Sequence, residues 1–283
     1  MPALPEIEVL RRDLEKEVVG RRFKEVEVRP GSNAMKVIRR HGRRKEFQDL
    51  LLGAKVERID RKGKHILFEL DNSQTLVVDL ADTGQLVKTS GSDEIVPHTH
   101  IVLSFTIGGQ LRVIDPKRAG EVFVAPTDEL SDFDDLNSTA LDPLSGGGPV
   151  TWQAFSGMLE QQTVPMKSLL MDERFVIGLG DIYSDEVLFA AGIRYDRSSD
   201  RLTSQDVRRL YRALMETLQD AVKARGTSGG DDDFVDLQGN SGAFQFELKV
   251  FEREGEPCRR CRNTIERVEF EHVDTYFCPQ CQS

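Results

Sequence analysis

The hydrophobic positions of this chain follow two regimes that change near residue 126. In the first, apolar residues come in short alternating or continuous runs: Phe23 to Val28, His65 to Leu70, Thr75 to Leu80, His100 to Phe105 and Glu121 to Val124. Runs of this length and composition predict β-strands. A helix is predicted ahead of them, from Pro5 to about Val19, with Ile7, Leu10, Leu14 and Val18 on one stripe and Gly20 as its stop. Beyond residue 150 the spacing becomes helical, over Trp152 to Gln161, Met166 to Asp172, Asp181 to Ala191 and Ser204 to Arg225. Between the regimes, residues 127–150 carry Asp128, Glu129, Asp132, Asp134, Asp135 and Asp142 without a lysine or arginine, then Gly146-Gly147-Gly148-Pro149, the composition of a solvated linker. A flexible stretch is expected from Gly226 to Phe246, and no internal repeat is present. The expected organisation is a β-domain over 1–126, a linker over 127–150, a helical domain over 151–246 and a C-terminal hairpin over 247–283.

With 283 residues, 39% of them hydrophobic, the chain is long enough for two cores. The formal net charge is −10, so the field of the whole molecule slows rather than steers its approach to a polyanion. One segment departs from that balance: between Lys36 and Lys64 eleven lysines and arginines face four acids. Two readings stay open for it, a phosphate-facing stripe and a solvated surface with scattered ion pairs. No apolar run is long enough to span a bilayer and no signal peptide is evident, which points to a reducing, intracellular setting.

Two short motifs carry chemistry. Cys258-x-x-Cys261 and Cys278-x-x-Cys281, with sixteen residues between the pairs, use all four cysteines. This spacing suits tetrahedral Cys₄ zinc with a β-hairpin between the knuckles. Paired disulfides are the alternative, and the reducing setting disfavours them. Four thiolates leave no open coordination position, so the zinc is expected to be structural. At the other end, removal of Met1 would leave Pro2 as a secondary amine whose proton comes off near neutrality, able to form an iminium with a sugar aldehyde. The plainer role for Pro2 and Pro5 is to stiffen the approach to the helix. The next residue, Ala3, has no proton to give. His98 and His100 lack a recognisable ligand set and read as surface or packing residues.

Pro2 and the Cys₄ pattern, with Arg61-Lys62-Gly63-Lys64, Asp115-Pro116-Lys117-Arg118, Gly178-Leu179-Gly180-Asp181-Ile182-Tyr183 and Arg253-Glu254-Gly255-Glu256-Pro257-Cys258, resemble the formamidopyrimidine-DNA glycosylase and endonuclease VIII family over essentially the whole chain. The resemblance implies an α+β multidomain protein: an N-terminal β-sandwich with flanking helices, a helix-two-turn-helix module and a zinc-finger hairpin. It also implies excision of oxidised bases from duplex DNA, followed by β- and δ-elimination through a Schiff base on the N-terminal proline.

Measured against that family, several functional positions are changed. Active members place a glutamate after the proline, which donates a proton at the deoxyribose, and here stands Ala3. Glu6 matches the family's second glutamate; it is either a substitute acid or a first-turn acid at a helix N-terminus. Of the groups that grip phosphate around the lesion, Lys64 matches the lysine, while Asp79, Asp181 and Val273 fall where a histidine, an asparagine and an arginine are found. Asp181 can still cap a helix, but it accepts rather than donates and repels phosphate. Of the side chains that fill the gap of an everted base, Asp82 replaces a methionine, Lys117 an arginine beside Arg118, and Ala119 an aromatic.

The candidate set is therefore Pro2, Glu6 and Lys64 for catalysis, Lys64, Lys117, Arg118 and Asp181 for DNA, and Cys258, Cys261, Cys278 and Cys281 for zinc. The expected partner is damaged or abasic double-stranded DNA, weakly held by a monomer that is cytoplasmic, or nucleoid-associated when on DNA. Two functions are open: an abasic-site lyase with impaired base excision, and an inactive paralogue serving as a DNA-binding or protein-interaction module.

Overall fold

The apolar stripe at the start folds as α1 (Leu4–Val18), but burial goes beyond one face, because Glu6, Glu8 and Asp13 are buried along with Leu4, Ile7, Leu10, Leu14 and Val18. Charged groups bury only when paired, and each of the three has partners from distant sequence. The computed structural model describes residues 2–30, 34–145, 148, 150–229 and 234–283, so Asp231 to Asp233 and part of the glycine run lie outside the described residues. The chain divides into two units, Met1–Ser138 with Arg225–Ala243, and Thr139–Ala224 with Phe244–Ser283.

In the first unit, two four-stranded antiparallel sheets form a β-sandwich. One has the order β1-β6-β7-β5, from β1 (Phe23–Val28), β5 (Gln85–Thr89), β6 (Thr99–Phe105) and β7 (Gln110–Ile114). The other has the order β2-β3-β4-β8, from β2 (Val56–Lys62), β3 (His65–Leu70), β4 (Gln74–Asp79) and β8 (Glu121–Pro126). Two short helices, α2 (Ala34–Val37) and α3 (Arg44–Leu51), lie between β1 and β2. α1 packs on β2 and β3, and α3 packs on β1 and β8 through Phe47 and Leu51. The register Phe68↔Leu76↔Val124 puts one set of side chains on one face of the second sheet, while Leu67, Val77, Phe123 and Ala125 fill the other. That second face explains the acidic stretch. Its 3₁₀ turns, Thr127–Asp132 and Asp134–Leu136, bury Leu130 and Leu136 and lay Phe133 on the sheet, with the acids pointing outward. The first half of the expected linker is thus a lid on the sandwich.

Residues 225–243 also belong to this unit. The Arg225 guanidinium lies between the Asp13 and Asp236 carboxylates at 2.5 and 2.6 Å, and the Lys88 N–H donates to the Leu237 carbonyl at 2.7 Å. The Asp236 carboxylate in turn accepts the N–H groups of Gln238 and Asn240. The described parts of this stretch are built, in contrast to the flexible segment its polar composition suggests.

The second unit comprises α4 (Trp152–Leu159), α5 (Met166–Met171), α6 (Gly180–Ala191) and α7 (Ser204–Lys223), followed by the hairpin β9 (Glu266–Phe270) and β10 (Val273–Phe277). Two buried carboxylates of α6 hold it together. Glu186 accepts the successive N–H groups of Lys249, Val250 and Phe251 at 2.9, 2.9 and 3.0 Å. Each donor left unpaired by loss of that carboxylate would cost on the order of 1–3 kcal/mol. Asp185 pairs with Lys167 Nζ at 2.7 Å and accepts the Tyr276 N–H at 2.8 Å, tying α5, α6 and β10 together. No helix among the described residues is long and apolar enough to cross a membrane.

Burial raises the Asp185 carboxyl to about 7, against the opposing pull of Lys167. The unfolded chain therefore releases this proton at lower pH than the folded one, so the contribution is greatest below about pH 4 and is lost as pH rises toward 7. Asp185→Asn keeps an oxygen acceptor for Tyr276 but no longer titrates. Melting temperatures across this window should show wild type losing stability relative to the variant as pH rises; parallel curves would count against the assignment.

Candidate active site and metal centre

The N-terminus is fixed by one side chain. Ala3 occupies the N-cap of α1 in extended conformation and has no acceptor of its own, whereas Ser, Thr or Asp there would accept an amide. Glu6 supplies the other half of a capping box: its carboxylate accepts the Ala3 N–H at 2.9 Å. Its second oxygen accepts the Thr227 N–H at 2.7 Å. Glu6 is buried, and Gly226 packs so closely that an added Cβ would come within 2.9 Å of the Glu6 carboxylate. Both oxygens are thus engaged with backbone donors, and Glu6 joins the start of α1 to the 225–243 segment. Pro2 itself is buried at the head of the helix.

Lys64 sits in the two-residue turn between β2 and β3, where Lys62 pairs with His65 and Gly63 takes φ 56°. The turn is held from below. Arg61 is buried, donates to the Gly63 carbonyl at 2.7 Å, and meets Glu8 of α1 at 3.1 Å. Burial alone would raise the Glu8 carboxyl, but hydrogen bonds from Arg11 and Arg12, with Arg61 close by, outweigh it and keep the group below the usual glutamate range. This ion cluster places the Lys64 turn against α1, the helix that Pro2 precedes. It was not legible in the sequence; its only signal was a charged residue on each partner element.

The two loops expected to face an everted base are joined by one buried carboxylate. Asp115 accepts from the Thr83 hydroxyl at 3.0 Å, the Lys117 N–H at 3.2 Å and the Gly120 N–H at 2.9 Å. Asp79 closes the first loop through the Ala81 N–H at 2.9 Å. The frame is intact, while the tips Asp82, Lys117 and Ala119 are exposed and Arg118 is half-buried with φ 57°.

In the second unit, Asp181 is exposed in the first turn of α6 and accepts the Ile182 N–H at 2.9 Å. The N-cap is Leu179, so Asp181 is not the capping residue that its position suggests. Val273 opens β10. The turn before it, Glu271-His272, has φ of 50° and 67°, values that asparagine and glycine adopt most readily. Ser168 of α5 donates to the Glu271 carboxylate at 2.8 Å and pins this turn. The sequence set is therefore distributed: Pro2, Glu6, Lys64, Lys117 and Arg118 in the first unit, Asp181 and the cysteines in the second.

The four cysteine sulfurs lie within 4.8 Å of one another, with Cys258 to Cys281 at 3.9 Å and Cys261 to Cys278 at 3.5 Å. Tetrahedral zinc with bonds of about 2.3 Å needs sulfurs about 3.8 Å apart, so the donor set fits. Burial disfavours a Cys258 thiolate, but the N–H groups of Cys261 and Arg260 outweigh it and bring that thiol down to about 7. Burial, then the neighbouring sulfurs, push Cys281 up. Four thiolates this close require a cation among them. Phe189, Val250 and Ile265 pack around Cys258 and Cys278, which seats the knuckles on α6. The zinc is structural.

Comparison with known proteins agrees with this architecture. Residues 1–122 match the formamidopyrimidine-DNA glycosylase N-terminal domain, 140–232 its H2TH domain, and 255–283 a zinc finger found in FPG and IleRS. Relatives include the formamidopyrimidine-DNA glycosylases of Pelotomaculum thermopropionicum, 34% identical over 100% of this chain and 99% of that protein, and Moorella thermoacetica, 37% identical over 95% and 94%. Among solved structures, Lactococcus lactis Fpg in complex with DNA containing an abasic site matches with a TM-score of 0.87 and 28% identity over 100% of both chains. MutM (Fpg) from Thermus thermophilus matches with a TM-score of 0.84 and 34% identity over 99% of this chain and 98% of that one.

Elemental analysis of the purified protein should give one zinc per chain, and Cys278→Ser should lose it. The variant should also lose protection of the Tyr276 amide from hydrogen exchange, because the hairpin needs the metal. Retention of zinc and protection would show that the ion is not held by this tetrad.

Proposed function

The chain belongs to the formamidopyrimidine-DNA glycosylase family, and we propose that it acts on DNA whose base is already missing, as an abasic-site lyase with a weakened glycosylase step. The observation that carries this reading is the state of the N-terminus: the amine position is kept, the adjacent residue is Ala3, and both Glu6 oxygens accept backbone N–H groups.

In the proposed reaction the Pro2 nitrogen, exposed chemically by removal of Met1, adds to C1′ of the open-chain abasic aldehyde, and loss of water gives an iminium. Loss of a proton from C2′ sends its electron pair toward the iminium and breaks the C3′–O bond, expelling the 3′ phosphate. Hydrolysis then frees Pro2. No base has to leave, so no acid at position 3 is needed. Release of an oxidised base does need proton donation, which is worth roughly 10²–10⁴-fold. Lys64 is the phosphate contact of this reading, with Lys117 and Arg118 beside the strand. Asp79, Asp82 and Asp181 repel the backbone, and Val273 supplies no charge, so the affinity for duplex DNA is modest. Further support is that the Lactococcus lactis relative was captured on DNA containing an abasic site.

Those same substitutions favour the second reading, a non-catalytic DNA-binding or protein-interaction module. Borohydride reduction of a mixture with abasic duplex should trap a covalent adduct that Pro2→Gly abolishes. Absence of an adduct at every salt concentration would favour the module. The intact mass should show Met1 removed. Ala3→Glu should raise excision of 8-oxoguanine by about 100-fold; an unchanged rate would mean that position 3 does not limit that step.

A further inference from the structure

Away from these residues, α7 presents a second face. Arg208, Tyr211, Arg212 and Met215 recur at helical spacing and share one side, apart from the buried Leu210, Leu214 and Leu218. Trp152, the chain's single tryptophan, opens α4 beside them, its ring edge-on to Tyr211 with centroids 5.7 Å apart and planes at 82°. With Glu216 these side chains line an open groove of about 580 Å³.

The groove is set in place before anything binds. The Tyr211 hydroxyl donates to the Val150 carbonyl at 2.7 Å, and its ring packs on the fully buried Phe155 at 5.6 Å. Thr151 caps the helix that carries Trp152. Neighbouring cations of α7 are neutralised, Arg209 by Asp206 and Lys223 by Asp220. Arg208 and Arg212 are exposed, one turn apart, and no carboxylate partner for either is present among the described residues. In a chain of net charge −10, two unneutralised guanidiniums beside an aromatic floor form a specific local feature.

We propose that this groove docks an acidic peptide segment of a partner protein, with carboxylates on Arg208 and Arg212 and an aliphatic or aromatic side chain on Trp152, Tyr211 and Met215. Guanidinium and carboxylate match in geometry and charge, and a rigid aromatic floor is a common anchor at protein interfaces. A nucleic-acid strand fits less well, because it follows a continuous positive groove, whereas the cations here span one helical turn and end at Glu216, so only a short acidic stretch can be matched, with the apolar end of the peptide lying towards Glu216.

Trp152 makes the test direct, since all tryptophan emission comes from the groove. The probe is a tryptophan-free peptide of three acidic residues followed by leucine and phenylalanine. Its amide counterpart and a short oligothymidylate serve as comparisons. The acidic peptide should change the emission saturably, the amide peptide should not, and raising salt from about 50 to about 300 mM should weaken binding. Arg208→Glu with Arg212→Glu should lower affinity at least about tenfold, with unchanged zinc content and melting temperature as the fold check. Calorimetry on Trp152→Phe gives a second readout. The proposal is overturned by no saturable change, by equal binding to the charge-reversed variant, or by tighter binding of the oligothymidylate. Self-association of the protein that disappears in the same variant would also overturn it, by making a second copy the occupant.

Discussion

The geometry of the N-terminus rests on one carboxylate with two oxygens. Glu6 gives one to the amide of Ala3 and the other to the amide of Thr227, at separations of three and 221 residues along the chain. A carboxylate engaged in this way both starts the helix behind Pro2 and anchors the segment that returns from α7. Two residues on, Glu8 makes a second long-range link, an ion pair with Arg61, which in turn holds the Lys64 turn. The head of α1 is therefore a junction where the polypeptide's start, a β-turn and a late segment are held together by ionic and capping bonds.

That junction belongs to a frame that is distinct from the positions expected to meet a substrate. The carboxylates that build backbone geometry, Glu6, Glu8, Asp115, Asp185 and Glu186, are each buried and satisfied by several donors. The positions that the proposed function sets against a substrate are Ala3, Asp82, Ala119 and Val273, of which Asp82 and Ala119 are exposed loop tips. Loss of a buried carboxylate orphans its donors and costs several kcal/mol, whereas exchange of an exposed loop tip costs the fold almost nothing. The fold thus constrains the first set strongly and the exposed loop tips weakly.

Much of the fold was legible where burial follows period. The stripe of α1, the continuous apolar runs of β3, β4, β6 and β8, and the spacing of α4 to α7 all match their elements. β2, β5 and β7 were not legible because charged or polar residues interrupt their patterns, as in Val56–Lys62, where Arg61 points inward to meet Glu8. The acidic 127–136 segment read as linker because its three apolar residues, Leu130, Phe133 and Leu136, are sparse. In the site, the zinc tetrad was readable because its spacing is local. The Glu8–Arg61 and Asp13–Arg225–Asp236 clusters were not, since such pairs appear only once the chain has brought remote elements together.

On the proposed function, chemistry at the sugar aldehyde survives while assistance to a departing base does not. That division is tested most directly by single-turnover cleavage of two duplexes identical except at one position, abasic in one and 8-oxoguanine in the other. The abasic duplex should undergo strand scission, and the oxidised base should be released at least about 100-fold more slowly. Comparable rates on the two substrates would contradict it.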